Sequence, residues 1–139
     1  MALLRLASEV GQTALYERLE AAGHTELRPT HFRLLRYPGI DGTRPTELAQ
    51  RLGTSKQAIN PLLNDLEQWG YLERRRDVTD QRGRVLWLTV RGQELMTTIK
   101  QLHAEIEADW ASELGEGRYR ILRSALHHLA QQHSNGVQS

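Results

Sequence analysis

Thr46–Trp69, TELAQRLGTSKQAINPLLNDLEQW, is the stretch that decides the fold. Its opening residues set helix-forming Glu47, Ala49, Gln50 and Arg51 between apolar Leu48 and Leu52, with Thr46 as the expected cap. Gly53 stops that run, and Thr54 is the next N-cap candidate, so Gly53 supplies the tight turn of a helix-turn-helix. The second helix is predicted from Ser55 to about Trp69. At about 100° per residue, Ile59, Leu62, Leu63 and Leu66 share a core-facing arc, while Lys56, Gln57, Asn60 and Asn64 share another. That second arc carries a cation and three amides, groups that bond base edges in a major groove. A merely solvated helix face has the same composition, and for this helix alone it is the simpler reading.

The residues beyond Trp69 shift the balance. Gly70 ends the helix, and Tyr71–Arg76 reads as a short strand closing in three arginines, Arg74, Arg75 and Arg76. Asp77–Gly83 (DVTDQRG) has the Asp, Thr and Gly of a loop, and Arg84–Thr89 returns as a strand with Leu86 and Leu88 on one face. Helix, turn, helix and then a hairpin with a basic tip is a winged helix.

The residues of this hairpin resemble the wing of the MarR family of bacterial transcription regulators, in which Asp-Pro and an Asp-x-Arg lead into an apolar strand closing in Leu-Thr-x-x-Gly. Asp77, Asp80, Arg82, Leu88, Thr89 and Gly92 stand at those places, and the likeness covers residues 44–94 closely. Val78 departs from the family's proline, and Gln81 stands where a basic residue is common. The resemblance implies that Asp80 pairs with Arg82 at the wing tip and that Arg82 enters the minor groove, whose negative potential attracts a guanidinium. A surface ion pair worth little is the bland alternative.

Pro61 lies inside the second helix, where a proline removes one backbone bond and costs about 3 kcal/mol or kinks the helix. A bend is predicted near Gln57–Pro61, one that would re-aim Lys56, Gln57 and Asn60, with a late or broken helix as its rival.

The 139 residues fit one domain, or one domain with dimerisation arms. Net charge is only +1, which alone would not suggest nucleic acid. Between Arg44 and Arg91, however, nine Lys or Arg stand against six acids, a local excess that phosphate contacts would turn into salt-dependent affinity. The absence of cysteine excludes disulfides, cysteine nucleophiles and thiolate zinc sites, and with them the thiol-oxidation switch of one branch of the resembled family. No apolar run has the length of a membrane span and no signal-peptide pattern opens the chain, so no membrane partner is expected and the cytoplasm is the expected compartment.

Outside the central stretch the chain reads as helices. Residues 2–22 carry a stripe of Leu3, Leu6, Ala7, Val10, Ala14, Leu15 and Leu19, ended by Gly23. Pro29 opens a second helix to about Tyr37, and Asp41–Pro45 is a connector with room for one short strand. Gly92 is expected to precede a long helix with Leu95, Ile99, Leu102, Ile106 and Trp110 in a packing seam, interrupted by Gly115 and Gly117. A last helix is predicted over about Arg118–His133. The expected architecture is therefore mainly α with a small antiparallel β wing. N-terminal helices fill 1–37, a winged helix-turn-helix domain 38–92, and C-terminal dimerisation helices and tail 93–139.

A compact winged helix cannot cover all these apolar faces, and in the resembled family the terminal helices interlock across a two-fold axis. The resemblance implies a homodimer on double-stranded DNA, with recognition helices in major grooves about 10 base pairs apart and a near-palindromic operator. Candidate base readers are Ser55, Lys56, Gln57, Asn60 and Asn64. Asp80, Arg82 and Arg84 form the wing, and Arg74, Arg75 and Arg76 are candidate phosphate contacts. The resemblance further implies a pocket for a small-molecule effector, to which His31, Tyr37 and Trp110 are candidate contributors, each equally explained as core or surface.

No cofactor or metal is expected. His103 with Glu107, and His127 with His128 and His133, have some helical spacing, but no HExxH and no thiolate fixes a ligand set. With no phosphate loop or nucleophile elbow, no enzyme is expected. A repressor is the expected role. The rival class is a winged helix used as a protein-interaction module, its groove entry spoiled at Pro61.

Overall fold

A computed structural model of the chain describes residues 1–36 and 39–136, with the side chains of the last helix described as far as Gln131. Six helices and one hairpin come in the order α1 (Ala2–Ala21), α2 (Pro29–Leu35), α3 (Pro45–Arg51), α4 (Lys56–Gln68), β1 (Leu72–Arg76), β2 (Arg84–Leu88), α5 (Val90–Leu114) and α6 (Glu116–Gly136). The chain divides into two compact units, Leu19–Lys100 and Met1–Arg18 with Gln101–Ser139.

In the central unit, local chemistry sets each boundary. α1 stops before Gly23, whose φ of 94° suits a residue without Cβ. Pro45 opens α3, and the Glu47 carboxylate turns back to accept from the Arg44 amide at 3.1 Å. The cap therefore differs from the expected Thr46: Arg44 is the N-cap and Thr46 the second helical residue. Gly53 (φ 66°) makes the turn, with the Thr54 amide donating to the Ala49 carbonyl. The cap of α4 is then Ser55 rather than Thr54, its Oγ accepting from the Ala58 amide at 3.1 Å.

α4 runs through Pro61 without a break, so it neither starts late nor splits. Pro61 is its sixth residue, and the missing N–H would have reached the carbonyl of Gln57. Gly70 ends α4, and β1 pairs antiparallel with β2 in the register Leu72↔Leu88 to Arg76↔Arg84. The connector supplies the short strand piece anticipated there, a single bridge between Thr43 and Leu86. The core beneath is Phe32, Leu34, Leu35, Leu48, Ile59, Leu63, Leu66, Leu86 and Leu95.

α5 begins at Val90, so Gly92 lies inside its first turn and does not precede it. Thr89 caps the helix, its Oγ1 accepting from the Gly92 amide at 3.0 Å, and because a Cβ on Gly92 would stand 2.1 Å from the Tyr71 carbonyl oxygen, only glycine lets helix and wing root meet there.

In the other unit, Leu15 and Ile106 are buried and Arg18 pairs with Asp109 and Glu105. A Cβ on Gly11 would lie 3.2 Å from the Trp110 ring, so a small residue makes room for that indole. Large apolar side chains nevertheless stay exposed on both outer helices, Leu3 at 81% and Val10 at 59% on α1, Ile121 at 73% and Leu129 at 58% on α6.

Candidate nucleic-acid interface

The helical period places Lys56, Asn60 and Asn64 on one line of α4, each four residues from the next. Together with Arg44, Pro45 and Thr46 at the start of α3, and Arg74, Arg82, Gly83 and Arg84 of the hairpin, they line a groove with a cavity volume of about 470 Å³. Five guanidinium or ammonium groups and two amides line it, and among the described residues no carboxylate does. Gln57 and Ser55 do not line it. Gln57 is exposed beside it, and Ser55 has its hydroxyl engaged as the helix cap.

Three consecutive arginines cannot serve one surface, because side chains alternate along a strand. Arg74 turns toward α4, where it donates to Asn64 Oδ1 at 2.9 Å and pairs with Glu67. Arg75 lies on the opposite face, with its guanidinium 4.8 Å from the Trp87 ring centroid and Nε 2.6 Å from Glu73 Oε1. Arg76 faces Arg84 across the hairpin end, exposed and outside the groove.

At the wing tip Asp80 and Arg82 do meet, but through the backbone. Asp80 Oδ1 accepts from the Arg82 amide at 3.1 Å and the Asp80 carbonyl from the Gly83 amide at 2.9 Å, a turn that leaves the Arg82 guanidinium exposed.

The strongest side-chain link to the wing root joins residues that the sequence reading did not single out as a pair. Arg44 Nε donates to Asp77 Oδ2 at 2.8 Å, joining the cap of α3 to the loop after β1. The other oxygen, Asp77 Oδ1, accepts from the Thr79 amide at 2.9 Å and the Thr79 hydroxyl at 2.8 Å. These bonds from Thr79, then Arg44, hold the Asp77 carboxyl down at about 2. The available signal was Pro45, which marks the start of α3 and so puts Arg44 at its cap.

Of the three residues considered for an effector pocket, His31 lies in the central unit. His31 is 3% exposed, with Nδ1 accepting from the Arg28 amide at 3.1 Å, Nε2 at 3.2 Å from Asp65 and its ring edge-on to Trp69. Trp110 belongs to the other unit, and Tyr37 lies outside the described residues. Among the described residues no group of three or more His, Asp or Glu could hold a metal ion, and no helix is long and apolar enough to cross a membrane.

A MarR family model matches residues 25–83, which span α2, the helix-turn-helix and the wing to its tip. That segment is similar to the MarR family. Solved structures extend the likeness beyond the matched segment. A crystal structure of MarR is 25% identical, covers 96% of each chain and superposes with a TM-score of 0.76. A Mycobacterium tuberculosis MarR family protein in complex with salicylic acid is 26% identical over 91% of this chain and 93% of that one, with a TM-score of 0.67. A substituted S. aureus MepR bound to an oligodeoxyribonucleotide is 22% identical over 94% and 95%, with a TM-score of 0.65. No protein of curated function matches the chain. This chain shares the fold of these structures.

Proposed function

We propose that the chain is a sequence-specific double-stranded DNA-binding repressor that acts as a homodimer on a near-palindromic operator. The observation that carries the proposal is the groove between α4 and the wing. It gathers Arg44, Lys56, Arg74, Arg82 and Arg84 with two amides and, among the described residues, no acid. Such a surface fits a phosphate backbone with base edges behind it. In this reading Lys56, Asn60 and Asn64 reach base edges, with Gln57 beside them. Arg82, presented by the Asp80 turn, enters the minor groove, and Arg84, Arg74 and Arg76 hold phosphate. Residues 38–92 are the DNA-binding domain, 1–37 support and dimerisation, and 93–139 dimerisation. The exposed Leu3, Val10, Ile121 and Leu129 support a dimer, since so many bare aliphatic side chains are costly in water. Salicylic acid in the M. tuberculosis relative supports a small-molecule effector, which would act by binding DNA-competent and incompetent states unequally.

The test is fluorescence anisotropy of purified protein with DNA from upstream of its own gene, across a salt series, beside the Arg82→Ala variant. Saturable, salt-sensitive binding of one dimer, weakened by the substitution, is expected. Weak binding indifferent to sequence and to Arg82 would move the assignment to a protein-interaction module.

A further inference from the structure

We infer that Arg44 is a DNA phosphate contact held in place by Asp77, an inference that rests on the proposed DNA-binding function. Arg44 lines the same groove as Lys56, Asn60, Arg82 and Arg84. Its side chain keeps 40% of its exposure, whereas that of Asp77 keeps 11%. The acid is thus sunk in the wing root and the cation reaches outward.

The hydrogen-bond geometry separates two roles within the guanidinium. Nε and Nη2 both donate to the single oxygen Oδ2 of Asp77, because Oδ1 is taken by the Thr79 amide and hydroxyl. A guanidinium has five N–H donors, so the Nη1 edge is left for the groove. An arginine anchored on one edge has already lost most of its rotamer freedom, and a phosphate oxygen bound on its other edge costs little further entropy. Asp77 is therefore a positioning residue, and Thr79, which fixes the carboxylate from behind, completes the set. Because Arg44 comes from the cap of α3 and Asp77 from the loop after β1, the same pair also sets where the wing starts relative to the helix-turn-helix.

The experiment compares the full-length wild-type protein with Arg44→Gln, Arg44→Lys and Asp77→Ala. Each is measured by anisotropy on operator and on unrelated duplex DNA over a salt series, with circular dichroism melts to establish folding. Glutamine keeps a hydrogen bond to Asp77 but loses the charge; lysine keeps the charge but loses the fork. Arg44→Gln is expected to weaken both DNAs by a similar factor, roughly tenfold, and to flatten the plot of log affinity against log salt by about one unit per phosphate no longer neutralised. Arg44→Lys should keep the slope, and Asp77→Ala should weaken binding while keeping the slope.

If Arg44 only latched the wing, Arg44→Gln would bind with the wild-type slope and Asp77→Ala would lose as much affinity as any Arg44 variant; that result overturns the inference. Wild-type protein without salt-dependent DNA binding would instead overturn the DNA-binding function itself, a failure visible before any variant is made.

Discussion

The Tyr71 hydroxyl donates to Glu26 Oε1 at 2.7 Å from a side chain with no solvent exposure. Because its only proton goes to that carboxylate, His24 Nδ1, 2.7 Å away, must donate to the hydroxyl oxygen, and Arg91 Nη2 approaches both partners at 3.2 Å. Arg91 also stacks over the Tyr71 ring, 4.5 Å from its centroid, and donates to the Trp69 carbonyl at 2.7 Å. The segment between α1 and α2, the end of α4, the root of the wing and the first turn of α5 are tied at one phenol.

Tyr71→Phe should therefore cost about 1 to 3 kcal/mol, since it removes the bonds to Glu26, His24 and Arg91 and leaves half-buried His24 and Glu26 short of a partner. Urea unfolding is expected to show a lower midpoint at unchanged m. Burial, and then the hydrogen bond to the Glu26 carboxylate, push the Tyr71 hydroxyl up to about 12. A raised folded-state pKa favours the protonated form, so this stabilisation is complete below about 10 and is lost as pH rises from there toward 12. Phenolate absorbance should contain one late component in the wild type that is missing in Tyr71→Phe.

Asp77 gives the opposite sign. Its carboxyl is held at about 2 by the Thr79 amide and hydroxyl and by Arg44, so its contribution is present above about 4 and is lost as pH falls toward 2. Asp77→Asn should flatten the dependence of stability on pH in that acid window and leave the neutral-to-alkaline limb alone. An unchanged acid limb would show that the carboxylate is not held as described.

Gly92→Ala is expected to be among the most damaging single changes, costing about 3 kcal/mol or more. Its Cβ would meet the Tyr71 carbonyl oxygen at 2.1 Å and that oxygen belongs to backbone, which cannot swing away like a side chain. A thermal melt within a degree or two of wild type would contradict the close approach of α5 to the wing root.

Pro61→Ala should raise stability by about 1 to 2 kcal/mol. It restores an N–H for the Gln57 carbonyl in an unbroken helix, partly offset by the greater freedom of the unfolded chain. Hydrogen exchange at the restored amide and its neighbours, together with the urea midpoint, would measure it.

The helix-turn-helix and wing were legible in the sequence because their signals are local. Gly53 and Gly70 take positive φ, the α4 stripe has one apolar arc, and the hairpin is bracketed by turn residues. Lys56, Asn60, Asn64, Arg82 and Arg84 reach one groove for the same reason, since each was placed by helix period or hairpin position. The features that escaped depend on distant segments meeting. Arg44 and Asp77 are 33 residues apart and nothing in either neighbourhood names the other. The need for glycine at position 92 comes from the Tyr71 carbonyl, brought close by the fold and not by the helix's own sequence. The three arginines of β1 needed only strand alternation, which sends Arg75 to Trp87 and Arg74 to α4.

Arg74 carries the last prediction, because its cation is partly neutralised before any DNA arrives. It pairs with Glu67 and donates to Asn64, both on α4, while still lining the groove. Glu67 therefore lowers the positive potential at the groove edge and holds Arg74 against α4. Glu67→Gln keeps a hydrogen-bond acceptor for Arg74 but removes the negative charge, so binding to unrelated duplex DNA should tighten a few-fold at low salt and the gain should vanish as salt rises. Operator preference should fall correspondingly, because the added attraction carries no sequence information. Anisotropy on paired operator and scrambled duplexes at two salt concentrations would read both effects. An equal gain at both salts, or a loss on both duplexes, would mean that Glu67 acts through the packing of Arg74 and not through its charge.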